Sequence, residues 1–170
     1  MVHWGMNLTT IACVGQGLEI GCNNDLIWKF REDLLTFKKI TMSHPMVMGV
    51  NTFKSLPGLL PGRLHIVISD RPFEHPPEVM VFGNLDDFFV YARKYEKEVF
   101  VIGGGIVYKQ LLPYSNRLIL TEVHEKFDGK AEECIYFPDF DRNEWKVEQR
   151  DEFVDPVSDV KYSRAFFRRK

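Results

Sequence analysis

Apolar segments of strand length alternate with helical patterns along most of the chain. The strongest predicted strands are residues 9–14, 46–49, 64–69, 79–82, 98–102 and 117–123. Several of them are almost continuously apolar, which is typical of strands covered on both faces. The alternation therefore predicts a sheet buried between helices.

Two helical patterns follow predicted strands. The first has apolar side chains at the spacing i, i+3, i+4 and i+7 of one helix face, at Leu85, Phe88, Phe89 and Ala92. Asn84, just before it, is a residue type that caps helix N-termini. Residues 106–111 predict a shorter helix that Pro113 ends.

These elements predict an α/β fold in one domain, residues 1–170, with a central, mostly parallel mixed sheet of about eight strands and about four flanking helices. Residues 145–151 and 161–168 are strand-like and are joined by a polar turn that contains proline. They predict an antiparallel pair at one edge of the sheet.

Composition narrows the class of protein. Of the 170 residues, 45% are hydrophobic and 27% are charged, which is an ordinary globular balance. The formal net charge of -2 offers no basic surface for nucleic acid, and no apolar run approaches the roughly 18 residues that span a bilayer. We expect a monomer without a nucleic-acid or membrane partner.

Targeting and cysteine content point to the cytoplasm. The first five residues have no charged region that leads into an apolar stretch, so we expect no export signal. Cys13, Cys22 and Cys134 are odd in number and far apart in sequence, and no Cys-x-x-Cys pair occurs. They suit a reducing compartment without disulfides.

Asp33 is the first candidate for chemistry. The segment from Trp28 turns from a loop into a helix that would place Asp33, Phe37 and Ile40 on one face. A carboxylate at the edge of an apolar stripe can bind a cationic or amidine-like group. The alternative is an ordinary acidic residue in a first helical turn, where the helix dipole favours it.

Two further segments could bind anions. Gly103, Gly104 and Gly105 follow an apolar strand and precede a helix, where backbone N–H groups can approach a phosphate. A tight turn without a ligand would use the same glycines. Arg63 follows a turn and could clamp a carboxylate, or could be an exposed surface residue.

Other motifs are rejected. Residues 15–21 resemble a dinucleotide-binding Gly-x-Gly-x-x-Gly fingerprint, but one residue too many precedes the last glycine and no amphipathic helix follows, so a mobile loop is expected. Residues 139–150 lack the glycine and the final glutamate of a calcium loop. The histidines show no metal-ligand spacing, so no metal is expected.

Taken in order, several segments resemble the dihydrofolate reductase family over nearly the whole chain. They are residues 11–14, 20–28, Asp33 with Phe37, 47–53, 60–63, 66–69, 101–108, 118–121 and 136–139. The resemblance implies NADPH-dependent hydride transfer to 7,8-dihydrofolate, giving tetrahydrofolate for one-carbon metabolism. It also implies a cytoplasmic enzyme that antifolates inhibit.

The resemblance also implies residue roles. Asp33, aided by Thr121, would bind the pterin ring, and Arg63 would hold the glutamate carboxylate. The remaining substrate contacts would come from Ile11, Cys13, Leu34, Phe37, Leu56 and Ile102. Leu26 and Trp28 would close over the reacting rings and, with Asp33 and Tyr108, would make up the catalytic group. Gly103 and Gly104 would form a cis peptide. NADPH would contact Cys13, Ile20, Gly21, Asn51, Thr52, Ser69, Asp70, Arg71, Gly103, Gly104, Gly105, Ile106, Val107 and Tyr108.

Four departures from the family pattern bear on function. Ile27 replaces the usual proline of the lid, and Cys13 replaces a small alanine near the nicotinamide. The usual cations for the 2′-phosphate are absent, and Asp70 supplies the opposite charge. Residues 128–135 form a longer connection than usual and lack its Gly-Asp pair.

Two rival functions stay open at this point. A reductase of riboflavin synthesis shares the fold and cofactor, but it would not need Asp33 or Arg63. A catalytically silent pteridine-binding module would not need Trp28, Asp33 and Thr121 together.

Overall fold

The computed structural model describes residues 5–22, 25–127 and 134–170. Its strands are β1 (Leu8–Val14), β2 (Glu19–Cys22), β3 (Asp25–Leu26), β4 (Met46–Gly49), β5 (His65–Ile68), β6 (Met80–Phe82), β7 (Val99–Val101), β8 (Arg117–Val123), β9 (Cys134–Tyr136), β10 (Trp145–Val154) and β11 (Lys161–Arg169). Its α-helices are α1 (Arg31–Thr41), α2 (Val50–Ser55), α3 (Leu85–Lys94) and α4 (Gly105–Leu111).

The central sheet has eight strands in the order β10-β11-β8-β1-β7-β4-β5-β6. Neighbours from β8 to β6 pair in parallel, whereas β11 pairs antiparallel with both β8 and β10. This arrangement confirms the predicted α/β class and the antiparallel edge formed by the C-terminal strands.

The helices cover both faces of this sheet. Leu8 and Leu118 pack in a cluster with Phe88 of α3 and Leu111 of α4. Ile11, Phe100 and Ile119 instead pack with Phe37 and Ile40 of α1. Because successive strand residues point to opposite faces, α1 lies on one side of the sheet, and α3 and α4 lie on the other.

Local signals explain where the helices begin and end. Asn84 accepts a hydrogen bond from the Asp87 backbone N–H at 2.8 Å, as its predicted capping role requires. A 3-10 turn over Leu112–Tyr114, which includes Pro113, follows α4. Helix α2 was not predicted, because its six residues are too few to show a helical period.

A second sheet, with the order β3-β2-β9, lies outside the sequence prediction. Residues 15–21 are therefore not simply a loop, because β2 begins at Glu19 and both Glu19 and Ile20 are buried. These strands are two to four residues long, too short to show alternation. Most of the 128–135 connection lies outside the described residues.

The structure has a disulfide that the sequence, interpreted as that of a protein from a reducing compartment, did not predict. Cys22 and Cys134 form a disulfide across 112 residues of sequence, and Cys13 is free. The two half-cystines are direct partners in the antiparallel β2–β9 pair. Sequence spacing could not reveal this, because the contact depends on the pairing of two distant strands. No helix among the described residues is long and apolar enough to cross a membrane.

Candidate active site

The centre of the candidate site is the Asp33 carboxylate, in the first turn of α1. Its Oδ1 accepts hydrogen bonds from Thr121 Oγ1 at 2.6 Å and from Arg164 Nη2 at 2.7 Å. Thr121 lies on β8 and Arg164 on β11, and the two are direct partners in the antiparallel pair. Two neighbouring strands therefore hold one oxygen of the carboxylate that the helix supplies.

Arg164 is the site residue that sequence reasoning missed. Its side chain is 8% exposed and that of Asp33 is 16% exposed, so the ion pair is largely out of water. A usable signal existed. Tyr162, Arg164 and Phe166 share one face of β11 by strand periodicity, and an arginine between two aromatic residues on a buried face needs an acidic partner.

Apolar side chains that were predicted to bind the substrate pack around Phe37 of α1. Phe37 and Ile102 pack against Ile11 on one side and lie with Leu56 in a second cluster on the other. Leu34, one helical position after Asp33, is 44% exposed. Of the predicted substrate residues, Phe37 and Ile102 are thus brought together with Ile11 in one cluster and with Leu56 in another.

The predicted lid residues Leu26 and Trp28 differ in their environment. Leu26 is 46% exposed in β3, and Trp28 packs with Cys13 and the buried Phe30. A Cβ atom on Gly15 would come within 2.3 Å of Trp28 Cη2, so a larger residue there would displace the indole.

The glycine segment after β7 has the predicted cis peptide between Gly103 and Gly104. The Gly103 carbonyl accepts a hydrogen bond from the Gly49 N–H at 2.9 Å. A Cβ atom on Gly104 would lie 3.2 Å from Thr52 Oγ1. The structure therefore places Thr52 of α2 directly against the glycines, which leaves no room for a larger side chain at Gly104.

Helix α4 presents its residues to different environments. Val107 and Tyr108 are buried, whereas Ile106 is 76% exposed. A Cβ atom on Gly105 would lie 2.8 Å from Ile135 Cγ2, so β9 closes against the start of this helix. The Tyr108 hydroxyl donates to the Ile11 carbonyl at 2.8 Å, which ties α4 to β1.

Cys13 and Tyr108 remain neutral at ordinary pH. Burial raises the pKa of the Cys13 thiol far above its usual range; the Asp33 carboxylate adds to the rise, and Arg164 opposes it. Burial also raises the pKa of the Tyr108 hydroxyl, with a further contribution from Cys13. Neither group is an acid or a base ready for proton transfer.

Residues predicted to face the 2′-phosphate follow the C-terminal ends of the neighbouring strands β4 and β5. Gly49 and Ile68 are direct partners at the ends of β4 and β5, so Asn51 and Ser69 follow neighbouring strand ends. Ser69 Oγ donates to the Arg71 carbonyl at 2.7 Å, and the Arg71 N–H donates to the same Oγ at 3.2 Å. Asp70 and Arg71 are exposed.

Arg63 lies at the other end of α1. Its Nη1 donates to Thr41 Oγ1 at 3.3 Å and its Nε to the Pro61 carbonyl at 3.2 Å. Burial lowers the pKa of the Arg63 guanidinium, which nevertheless stays charged at neutral pH. These hydrogen bonds use Nε and Nη1 of the guanidinium, and neither uses Nη2.

Residues 7–169 match the family of sequences described as dihydrofolate reductase. The chain belongs to the dihydrofolate reductase family. It is 40% identical over 128 residues to the dihydrofolate reductase of Bacillus subtilis, covering 75% of this chain and 73% of that protein. It is 34% identical over 129 residues to that of Haemophilus influenzae, covering 76% and 77% of the two chains.

Comparison with solved structures supports the same family. A dihydrofolate reductase from Enterococcus faecalis, complexed with NADP(H) and RAB-propyl, superposes with a TM-score of 0.86 at 28% identity, and the match covers 100% of this chain and 99% of that one. Dihydrofolate reductases are NADPH-dependent oxidoreductases, and the chain is an enzyme of this kind. The family match thus favours neither the riboflavin-synthesis reductase nor the silent binding module.

Proposed function

We propose that this dihydrofolate reductase binds the pterin ring of its substrate on the Asp33 carboxylate. The observation that carries the proposal is that Thr121 and Arg164 both hold Oδ1, and neither uses Oδ2. The ring of dihydrofolate carries an amino group beside a ring N–H, and a carboxylate can accept from both. Phe37 and Ile11 would pack against the faces of the ring.

The segment around the glycines fits a dinucleotide. Gly104 has no Cβ atom, so a pyrophosphate can approach the backbone there, beside Thr52 and the first turn of α4. Gly103, Gly105 and Val107 would complete this contact. When bound, NADPH supplies the hydride, and the protein orients and encloses the reacting rings.

The chain's own residues would control water and protons. Solvent would be excluded from the nicotinamide side by Leu26, Trp28 and Ile20. Gly21 would allow the backbone at Asp25 to pass close by, because a Cβ atom on Gly21 would lie 2.6 Å from the Asp25 carbonyl oxygen. Asp33 would orient the ring, and a water would bring the proton to the ring nitrogen beside the carbon that accepts hydride. Tyr108, whose hydroxyl is held by Ile11, would act by positioning β1.

The tail of the substrate would lie along α1. Leu34 and Leu56 would contact the aminobenzoyl group, and Ile102 would lie beneath it. Arg63 would hold the glutamate carboxylate through its remaining N–H groups, because Nε and Nη1 already donate to Pro61 and Thr41.

The proposal also covers the location of the enzyme, its oligomeric state, its inhibitors and its partners. We expect a cytoplasmic monomer that is inhibited by antifolates and has no nucleic-acid or membrane partner. The net charge of -2 supports the absence of a nucleic-acid surface.

The experiment is the fall of NADPH absorbance in the presence of dihydrofolate. The Asp33→Asn variant should fold and lose at least about tenfold in kcat/KM, or about 1.4 kcal/mol of transition-state stabilisation. Turnover equal to that of the unmodified enzyme would contradict the role of Asp33. Thermal unfolding of both proteins shows that the comparison concerns folded enzyme.

A further inference from the structure

Arg164 brings a positive charge into contact with the acid that binds the substrate ring. The Nη2–Oδ1 distance of 2.7 Å and the exposure of 8% and 16% describe a pair shielded from solvent. A charge buried in this way is costly unless it is paired with an opposite charge. Arg164 and Asp33 therefore each supply the opposite charge that the other needs.

The guanidinium is held in place from a second direction. Its central carbon lies 4.8 Å from the centroid of the Phe153 ring on β10. Phe153 in turn stacks on Tyr162, which stacks on Phe30 at the start of α1. Arg164 is therefore fixed by an aromatic stack as well as by the carboxylate, and it cannot leave the pair without disturbing both.

The groups around the pair add little charge of their own at the carboxylate. Cys13 on β1 is neutral, because burial raises its pKa. Tyr162 on β11 is neutral for the same reason, with a further rise from Asp33. Thr121 on β8 is uncharged. Glu32 on α1 and Asp155 after β10 carry negative charges that raise the pKa of Tyr162, but the hydrogen bonds of the Asp33 carboxylate come from Thr121 and Arg164.

A ligand ring that binds Asp33 therefore meets one negative and one positive charge. A neutral pterin ring gains its hydrogen bonds to the carboxylate whether or not Arg164 is present. A ring that carries its own positive charge is attracted by Asp33 and repelled by Arg164, whose Nη2 lies 2.7 Å from the same carboxylate, so its electrostatic advantage is reduced.

We propose that Arg164 is a positioning residue for Asp33 that brings the net charge of the ring-binding site near zero and so favours neutral over cationic rings. The inference rests on the proposed role of Asp33 in binding the substrate ring. It assigns to this chain a residue that sets the balance between its substrate and protonated diaminopyrimidine ligands.

The test compares two ligands in three variants. The ligands are folate and a 5-benzyl-2,4-diaminopyrimidine, measured by fluorescence quenching below the pH at which the free pyrimidine loses its proton. Arg164→Met removes the charge, Arg164→Lys keeps it, and Arg168→Met is the control. Arg168 lies on the same strand and is ion-paired to Glu148 at 3.2 Å, but it is exposed.

Arg164→Met should raise the affinity for the pyrimidine relative to folate by at least about tenfold. Arg164→Lys and Arg168→Met should keep the ratio of the unmodified enzyme. A purely structural role would weaken both ligands alike and leave the ratio unchanged, which would overturn the inference. So would a ratio that moves towards folate.

The pH dependence of pyrimidine binding to the unmodified enzyme tests the same inference without any variant, so it does not depend on whether the variants fold. Its affinity for the pyrimidine should change by less than about tenfold between pH values below and above the ionisation of the ring, because the site is nearly neutral. Much tighter binding of the protonated ring would overturn the inference without any variant.

Asp33→Asn separates this inference from the proposed function. If that variant binds both ligands as the unmodified enzyme does, the role of Asp33 fails, and the role of Arg164 fails with it. If it loses binding while Arg164→Met leaves the ratio unchanged, only the inference about Arg164 fails.

Discussion

Cys22 and Cys134 are disulfide-bonded partners on neighbouring antiparallel strands, although 112 residues separate them in sequence. The bond joins β2, which leads to the predicted lid residues Leu26 and Trp28, to β9, which packs against the start of α4. Two parts of the candidate site that are distant in sequence are thus covalently linked at the small sheet.

Reduction of this bond should destabilise the enzyme. A disulfide typically contributes about 2–4 kcal/mol to the free energy of unfolding, and more when it closes a long loop. We expect a reductant to lower the Tm of the oxidised enzyme by several degrees and to leave that of the Cys22→Ser/Cys134→Ser double variant unchanged. An equal effect of the reductant on both proteins would show that the disulfide is not its cause.

Thiol labelling checks the same bond independently. The oxidised, folded enzyme should react slowly with a thiol reagent, because its free Cys13 has a pKa raised by burial and thiolate is the reactive form. Reduction should expose two further thiols, and denaturation should release the slow one. Rapid labelling of the oxidised, folded enzyme would contradict either the disulfide or the environment of Cys13.

Arg63→Ala should weaken folate binding more than pterin binding. The guanidinium is held by Thr41 and Pro61 at the far end of α1 from Asp33, where it can meet a carboxylate that a bare pterin lacks. Loss of such a clamp costs about 2–5 kcal/mol when the pair is desolvated. The measurement is the dissociation constant of folate and of a dihydropterin without the tail, with Arg168→Met as the control. Equal losses for the two ligands would refute the clamp.

Gly104→Ala should impair cofactor binding more than folate binding. The new Cβ atom would lie 3.2 Å from Thr52 Oγ1, so Thr52 must move or the glycine segment must shift. Crowding of this kind costs about 1–3 kcal/mol, which is roughly five- to a hundredfold in the KM for NADPH. Gly58→Ala is the matched control, because a Cβ atom there meets nothing within 4 Å. Equal KM values for NADPH in the two variants would contradict a tight fit at Gly104.

The sequence predicted what depends on local pattern and on recognisable motifs. The strands of the central sheet, the Asn84 cap and the cis peptide at Gly103 all follow from short segments read in order. The resemblance also selected Thr121 and Asp33 as partners in binding the pterin ring, and the structure places Thr121 Oγ1 2.6 Å from Asp33 Oδ1.

What escaped prediction depends on pairing between distant segments. The small sheet and its disulfide form only when β9 pairs with β2. Both strands are too short to show an alternating pattern in the sequence. Arg164 escaped because its charge is exceptional on a buried strand face, and its partner lies 131 residues earlier in the chain. Its position between two aromatic residues on that face is a local signal that a partner is needed, but it does not identify Asp33 as that partner.

The last prediction concerns the choice between NADPH and NADH. A 2′-phosphate is best held by guanidinium or ammonium groups. At the edge formed by the ends of β4 and β5, Asp70 supplies a negative charge and Ile106 supplies none. The Ser69 hydroxyl is already shared with the backbone of Arg71, which reduces what it can offer a phosphate. We therefore expect NADPH to be preferred, but by a modest margin.

Asp70→Arg should raise that preference. One new charge-assisted hydrogen bond to the phosphate is worth about 1.5–3 kcal/mol, or roughly ten- to a hundredfold in the ratio of the two kcat/KM values. The gain should shrink at high salt, because Asp70 is exposed and the interaction is screened. Glu148→Arg makes the same change of charge on the edge strand β10, at the opposite end of the sheet from β6, and should leave the ratio unaltered. A ratio that does not respond to Asp70→Arg would mean that this side chain points away from the ribose. A preference for NADH in the unmodified enzyme would mean that Asp70 instead pairs with the free ribose hydroxyls.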